Sequence, residues 1–165
     1  MRALHGWQGG RIDVESAAVR VPFGTGALTL RIPKGTLRRS EDVWSASIQM
    51  LLPDRLGRTA RLALQLEGDP GRVASLSGRV RFEGERLALA GWRELLSARL
   101  PFARHVPVAG TGNVELRATL DGGAIEQVTG ELVADDVRLA SFAAPVDVGY
   151  VNGNWKLYGD RKSVV

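Results

Sequence analysis

Side chains that could move protons near neutral pH are scarce in this sequence. Histidine is the usual proton shuttle in that range, and the chain has only His5 and His105, neither of them beside a nucleophile. His105 lies in a proline-containing stretch that is expected to be a surface loop. The absence of cysteine excludes disulfides and thiolate metal sites. We therefore predict no catalytic residue and expect that the protein is not an enzyme.

Two pairs of carboxylates are close in sequence. Asp13 and Glu15 would share one face of a strand, where a paired-carboxylate glycosidase or a hard-cation site is conceivable. An exposed polar strand face also requires charges at this spacing, and we favour that interpretation. Asp135 and Asp136 are adjacent, so they are expected on opposite faces of a strand. We predict no metal and no cofactor.

The net charge of +4 raises nucleic acid as a partner. Basic and acidic residues are interleaved, however, as they are between Arg79 and Arg86, which is typical of a solvated strand face. Gly24-Thr25-Gly26 and Gly110-Thr111-Gly112 lack the third glycine and the following helix of a dinucleotide-binding motif. The sequence thus favours neither nucleic acid nor a nucleotide as a ligand.

The stretch from Leu62 to Leu100 predicts the kinds of secondary structure on which a binding surface would lie. Leu62, Leu64 and Leu66 alternate with Ala63 and Gln65. Val80 and Phe82 alternate with charged residues, and a Gly/Pro-rich break separates the two runs. Period-two patterns around such a break indicate a β-hairpin. The period then changes, and a short amphipathic helix is predicted from about Ala90 to Leu100, with Trp92 on its apolar side.

Similar alternation marks most of the remaining chain as strands. Strand patterns lie at Leu28 to Ile32, Trp44 to Met50, Val114 to Leu120, Ile125 to Ala134, Val137 to Phe142 and Val146 to Leu157. Pro33-Lys34-Gly35 is expected to end one strand, and Asn152-Gly153-Asn154 is expected to break the last one into a hairpin. The predicted fold is mainly β: an antiparallel twisted sheet of consecutive hairpins with one short helix.

Part of this pattern repeats. Ser77-Gly78-Arg79-Val80 recurs 52 positions later as Thr129-Gly130-Glu131-Leu132. Reuse of a strand pattern in this way is typical of a sheet that lengthens by adding similar hairpins.

The apolar stripes of these strands are the candidate binding surface. They comprise Leu62, Leu64, Leu66, Val80, Phe82, Val114, Leu116, Leu120 and Leu132. These side chains would form the core of a closed sandwich or line an open groove, because both structures require one apolar face per strand. A single predicted helix and an aromatic content of 6% favour the groove.

Three segments resemble a known family. LPDRLGRTARLALQLEGDPG, SLSGRVRFEGERLALAGWRELL and GTGNVELRATLDGGAIEQVTGELVADDVRLA resemble the YhdP-like branch of the AsmA-like envelope proteins. The resemblance extends from about Gly10 to about Leu157. It implies a long sheet curled into a groove whose apolar inner face conducts phospholipid acyl chains between the inner and outer membranes. It implies no catalytic motif.

The resemblance also bears on localisation and on the ends of the chain. It implies a periplasmic protein held by an N-terminal inner-membrane anchor, which is not seen in the first residues of this sequence. We expect residues 1–159 to be one β-groove segment of a longer protein, whose other parts are its partners. Residues 160–165 can be encoded by GATCGGAAGAGCGTCGTG, which matches a common sequencing-adapter sequence. We therefore expect these six residues to be an artefact, and different codons in the coding DNA would refute this.

Two other functions stay open at this point. One is a self-contained β-sandwich or solenoid surface module that binds carbohydrate or protein, with Trp7, Trp44 and Trp155 as its few aromatic platforms. The other is a glycoside hydrolase, for which only Asp13 and Glu15 come near the required carboxylate pair.

Overall fold

The computed structural model describes residues 9–23, 26–69, 71–97, 109–139 and 146–158. Within these ranges, eight strands form one sheet in sequence order. The strands are β1 (Gly10–Phe23), β2 (Gly26–Ser40), β3 (Val43–Leu51), β4 (Thr59–Glu67), β5 (Ser77–Ala88), β6 (Ala109–Asp121), β7 (Ala124–Leu139) and β8 (Val146–Tyr158). A short 3-10 helix, Val73–Ser75, lies between β4 and β5, and helix α1, Leu89–Ser97, follows β5.

Every strand is antiparallel to its neighbours, so the predicted fold class is confirmed as one open sheet of consecutive hairpins. The hairpin predicted around Leu62 is present, with Leu62 opposite Phe82 and Leu64 opposite Val80. The described strands form a single layer and do not include the second, facing sheet of a β-sandwich.

Helix α1 begins one residue earlier than predicted. It starts at Leu89, directly after β5 ends at Ala88, and is described as far as Ser97. The predicted last turn, up to Leu100, lies outside the described residues, as do His5, His105, Trp7 and the tail from 160 onward.

Two predicted strand ends are wrong. Pro33 lies within β2 at a register shift between Arg31 and Lys34, where the strand bulges and a missing N–H group is tolerated. Asn152, Gly153 and Asn154 all pair with β7, so β8 is one strand and contains no hairpin. In both places, pairing with a long neighbouring strand overrides a local turn signal.

The sequence repeat and the structural repeat do not coincide. Gly78 lies near the start of β5, opposite Leu66 and Leu120, whereas Gly130 lies in the middle of β7. The features that do recur are bulges at Arg86 in β5 and Asp136 in β7, which have positive φ angles of 49° and 53°. The hairpins are therefore similar in architecture, with a different alignment from the one the sequence suggests.

In the described part of the chain, a cluster of buried apolar side chains lies where α1 meets β7. It contains Leu89, Ala134 and Val137, with Leu132 packed against it. Leu56, in the connection between β3 and β4, is also buried at 2% exposure. The sheet is thus covered at one end of its strands.

Candidate functional site: the apolar face of the sheet

All nine predicted lining residues lie on one face of the sheet. Residues directly opposite each other in antiparallel strands point to the same side. The register places Leu62 with Phe82 and Leu116, Leu64 with Val80, Leu66 in one row with Leu120, and Val114 with Leu132. Each of the nine is half-buried, so none is packed as tightly as a closed core requires.

The same face extends beyond the predicted residues. Ile48 and Ala46 of β3 lie opposite Leu62 and Leu64, and Val128 of β7 continues the row through Ala118. The alternation of apolar and polar residues in β3 is visible in the sequence. The sequence does not show which β3 residues pair with Leu62 and Leu64. Register between strands supplied that information, and the apolar face consequently reaches across at least β3 to β7.

Bulges keep this face continuous along the strands. In β5 the apolar side chains Val80 and Phe82 are half-buried at even-numbered positions, and beyond the bulge the buried apolar side chain is the odd-numbered Leu87. In β7 the switch occurs between Ala134 and Val137. An extra residue at each point restores the apolar side chains to the same side, and it also increases the local twist of the sheet.

Helix α1 and the connection between β3 and β4 close one end of the face. The Trp92 Nε1–H donates a hydrogen bond to the Leu56 carbonyl oxygen at 2.7 Å, and the Ala88 N–H donates to the same oxygen at 3.0 Å. Trp92 also packs edge-on against Phe82, with ring centroids 5.9 Å apart. Gly91 lies so close to this connection that a Cβ there would come 1.8 Å from the Arg55 carbonyl oxygen.

The rest of the face has no covering layer among the described residues. Only eight apolar side chains of the described residues are buried. The candidate site is therefore an open apolar surface next to a small closed core.

The opposite face carries a ladder of ion pairs. Arg81 contacts Glu83 at 2.7 Å and Glu115 at 3.2 Å, and Arg117 donates to Glu115 at 2.6 Å. The hydrogen bond from Arg117 holds the pKa of the Glu115 carboxyl below its ordinary value. A hollow of about 390 Å³ on this side is lined partly by Glu83 and Glu115 together with Arg61. Paired charges make this a water-facing surface and unsuitable for acyl chains.

Asp13 and Glu15 are both exposed on β1. Asp13 accepts hydrogen bonds from Arg11 at 2.8 Å and Thr36 at 2.9 Å, and these bonds lower its pKa. Glu15 is opposite Lys34 in the sheet. Among the described residues there is no group of three His, Cys, Asp or Glu side chains that could hold a metal ion.

The expectation that Asp135 and Asp136 point to opposite faces is wrong. The bulge at Asp136 breaks the alternation, so both carboxylates are exposed between the buried residues Ala134 and Val137. They form a solvated corner beside the closed end of the sheet.

Comparisons with protein-family models, with curated proteins and with solved structures find no match to this chain. In the described ranges, no helix has both the length and the apolar character needed to cross a membrane.

Proposed function

We propose that this chain is a segment of a periplasmic bridge-like protein that conducts phospholipid between the inner and outer membranes. One observation carries the proposal: a continuous apolar face crosses consecutive antiparallel strands and, among the residues that the structure describes, is covered only at the α1 end. The family resemblance supplies the lipid, the compartment and the inner-membrane anchor of the longer protein.

The mechanism of such a segment is passive. An acyl chain in water costs about 0.8 kcal/mol for each exposed methylene, and contact with half-buried leucine, valine and phenylalanine side chains removes part of that cost. Because the face continues from strand to strand, a lipid moving across the strands keeps similar contacts throughout. The charged ladder on the other face keeps the sheet hydrated.

The test compares two substitutions that add the same charge to neighbouring positions of β4. Leu64 is half-buried on the apolar face, and Gln65 is exposed on the charged face. Lipid is extracted from the purified proteins and quantified, with circular dichroism as the control for folding. We expect phospholipid with the unchanged protein and with Gln65→Asp, and its loss from Leu64→Asp.

Two results would contradict the proposal. One is unchanged protein that carries no phospholipid after purification from a cell envelope and takes up none from vesicles. The other is folded Leu64→Asp protein that retains as much lipid as Gln65→Asp.

A further inference from the structure

The apolar face dips at two positions in one row of side chains that crosses the sheet. Residues paired directly across antiparallel strands lie on the same side and form such a row. From β3 to β6 this middle row consists of Ala46, Leu64, Val80 and Ala118. Each alanine lies between two larger side chains of its own strand, namely Trp44 and Ile48 in β3 and Leu116 and Leu120 in β6.

Two aromatic rings in the rows on either side are held by contacts of their own. On the α1 side of the middle row, the Phe82 ring packs edge-on against Trp92. On the other side, the Arg39 guanidinium lies 4.7 Å from the centre of the Trp44 ring, and Trp44 is buried at 6% exposure. These contacts restrict both rings, so the two flanking rows stand as walls beside the middle row.

The spacing of the rows suits a single hydrocarbon chain. Rows on one face of a strand are separated by two residues, or about 7 Å. Carbon atoms in contact lie about 4 Å apart, so walls at this spacing leave room above the alanines for one polymethylene chain and not for two side by side. From β3 to β6 the middle row is about 14 Å long.

We infer that Ala46 and Ala118 are specificity-determining residues, which form the floor of a lane for one extended acyl chain lying across the strands. The inference rests on the proposed function, and it adds where the chain lies and which residues determine its fit. On a flat apolar face, a larger side chain at these positions would add contact with lipid. In a lane, the larger side chain takes the place of the acyl chain.

Alanine-to-leucine substitutions distinguish a lane from a flat face. Ala118→Leu and Ala46→Leu enlarge the middle row at two strands, and Ala63→Leu makes the same change on the charged face as the control; all three alanines are half-buried. Each variant is checked by circular dichroism and incubated with phosphatidylcholine vesicles. Bound phospholipid is then extracted from the reisolated protein and quantified by mass spectrometry.

We expect Ala118→Leu and Ala46→Leu each to bind about tenfold less phospholipid than the unchanged protein, because overpacking a fitted site costs about that factor in affinity. Ala63→Leu should bind as much as the unchanged protein. If a leucine variant does not fold, valine replaces leucine at that position and at the control position.

Three results would overturn the inference. Binding by both middle-row variants that equals or exceeds that of Ala63→Leu would show a flat face and would leave the proposed function in place. Loss of binding with only one of the two variants would show that the chain does not follow the row. An unchanged protein that binds no phospholipid would overturn the proposed function, and this inference with it.

Discussion

Leucine-to-alanine substitutions at Leu56 and Leu64 should differ sharply in their cost, although the chemistry of the change is the same. Leu56 is 2% exposed and is enclosed by the β3–β4 connection and α1. Leu64 is half-buried on the apolar face, with strands beside it and no described layer above it. The comparison therefore measures whether the face is open.

The magnitudes follow from burial and from cavity formation. Removing the branched end of Leu56 loses about 2 kcal/mol of transfer free energy, and the cavity left behind raises the total to about 3–4 kcal/mol. At Leu64 only part of the side chain is shielded from water, and the space left behind is open to solvent. No enclosed cavity forms there, and we expect a cost of about 1 kcal/mol.

Urea denaturation followed by circular dichroism gives the free energy of unfolding of both variants. We expect Leu56→Ala to lower the midpoint well below that of Leu64→Ala, with similar slopes. If Leu64→Ala costs as much as Leu56→Ala, the apolar face is a closed core in solution and the reasoning is refuted.

Two other predictions concern the helix and the charged face. Gly91→Ala should lower the free energy of unfolding by roughly 2 kcal/mol, because the new Cβ would meet the Arg55 carbonyl oxygen. Ala90→Ser, at the exposed neighbouring position, is the control. Equal urea midpoints for the two variants would contradict the close packing of Gly91 against Arg55. The lowered pKa of Glu115 means that its ion pairs stabilise the fold above the ordinary value of 4.5 and lose that contribution as the pH falls below it. In an NMR titration, Arg117→Gln should move the pKa of Glu115 up toward that value, and an unchanged pKa would show that Arg117 is not the cause.

Strand patterns predicted the apolar face well because side-chain direction in a strand follows directly from position. Leu64 and Val80 sit in clean period-two runs on either side of a break, and the hairpin pairs them as that pattern requires. The nine lining residues were identifiable for the same reason. Only the register, which no local pattern contains, was needed to extend the face to Ile48 and Val128.

The closed end could not be predicted in the same way. Leu56 lies in a connection that the sequence marks only as a turn, and this connection is hydrogen-bonded to Trp92, which is 36 positions away. The bulges at Arg86 and Asp136 also carry no signal, because neither is the glycine that a positive φ would ordinarily favour. At Pro33 a turn signal was present, but pairing between long strands took precedence.

Position-specific photocross-linking tests the central claim most directly, since it reports which face of the sheet contacts lipid. A benzophenone amino acid replaces Val80 on the apolar face or, in the matched control, Arg81 on the charged face of the same strand. After irradiation with phospholipid vesicles, mass spectrometry of the intact protein detects any adduct. The account predicts a phospholipid adduct at position 80 and none at position 81. Equal adducts at both positions, or none at position 80 in folded protein, would contradict it.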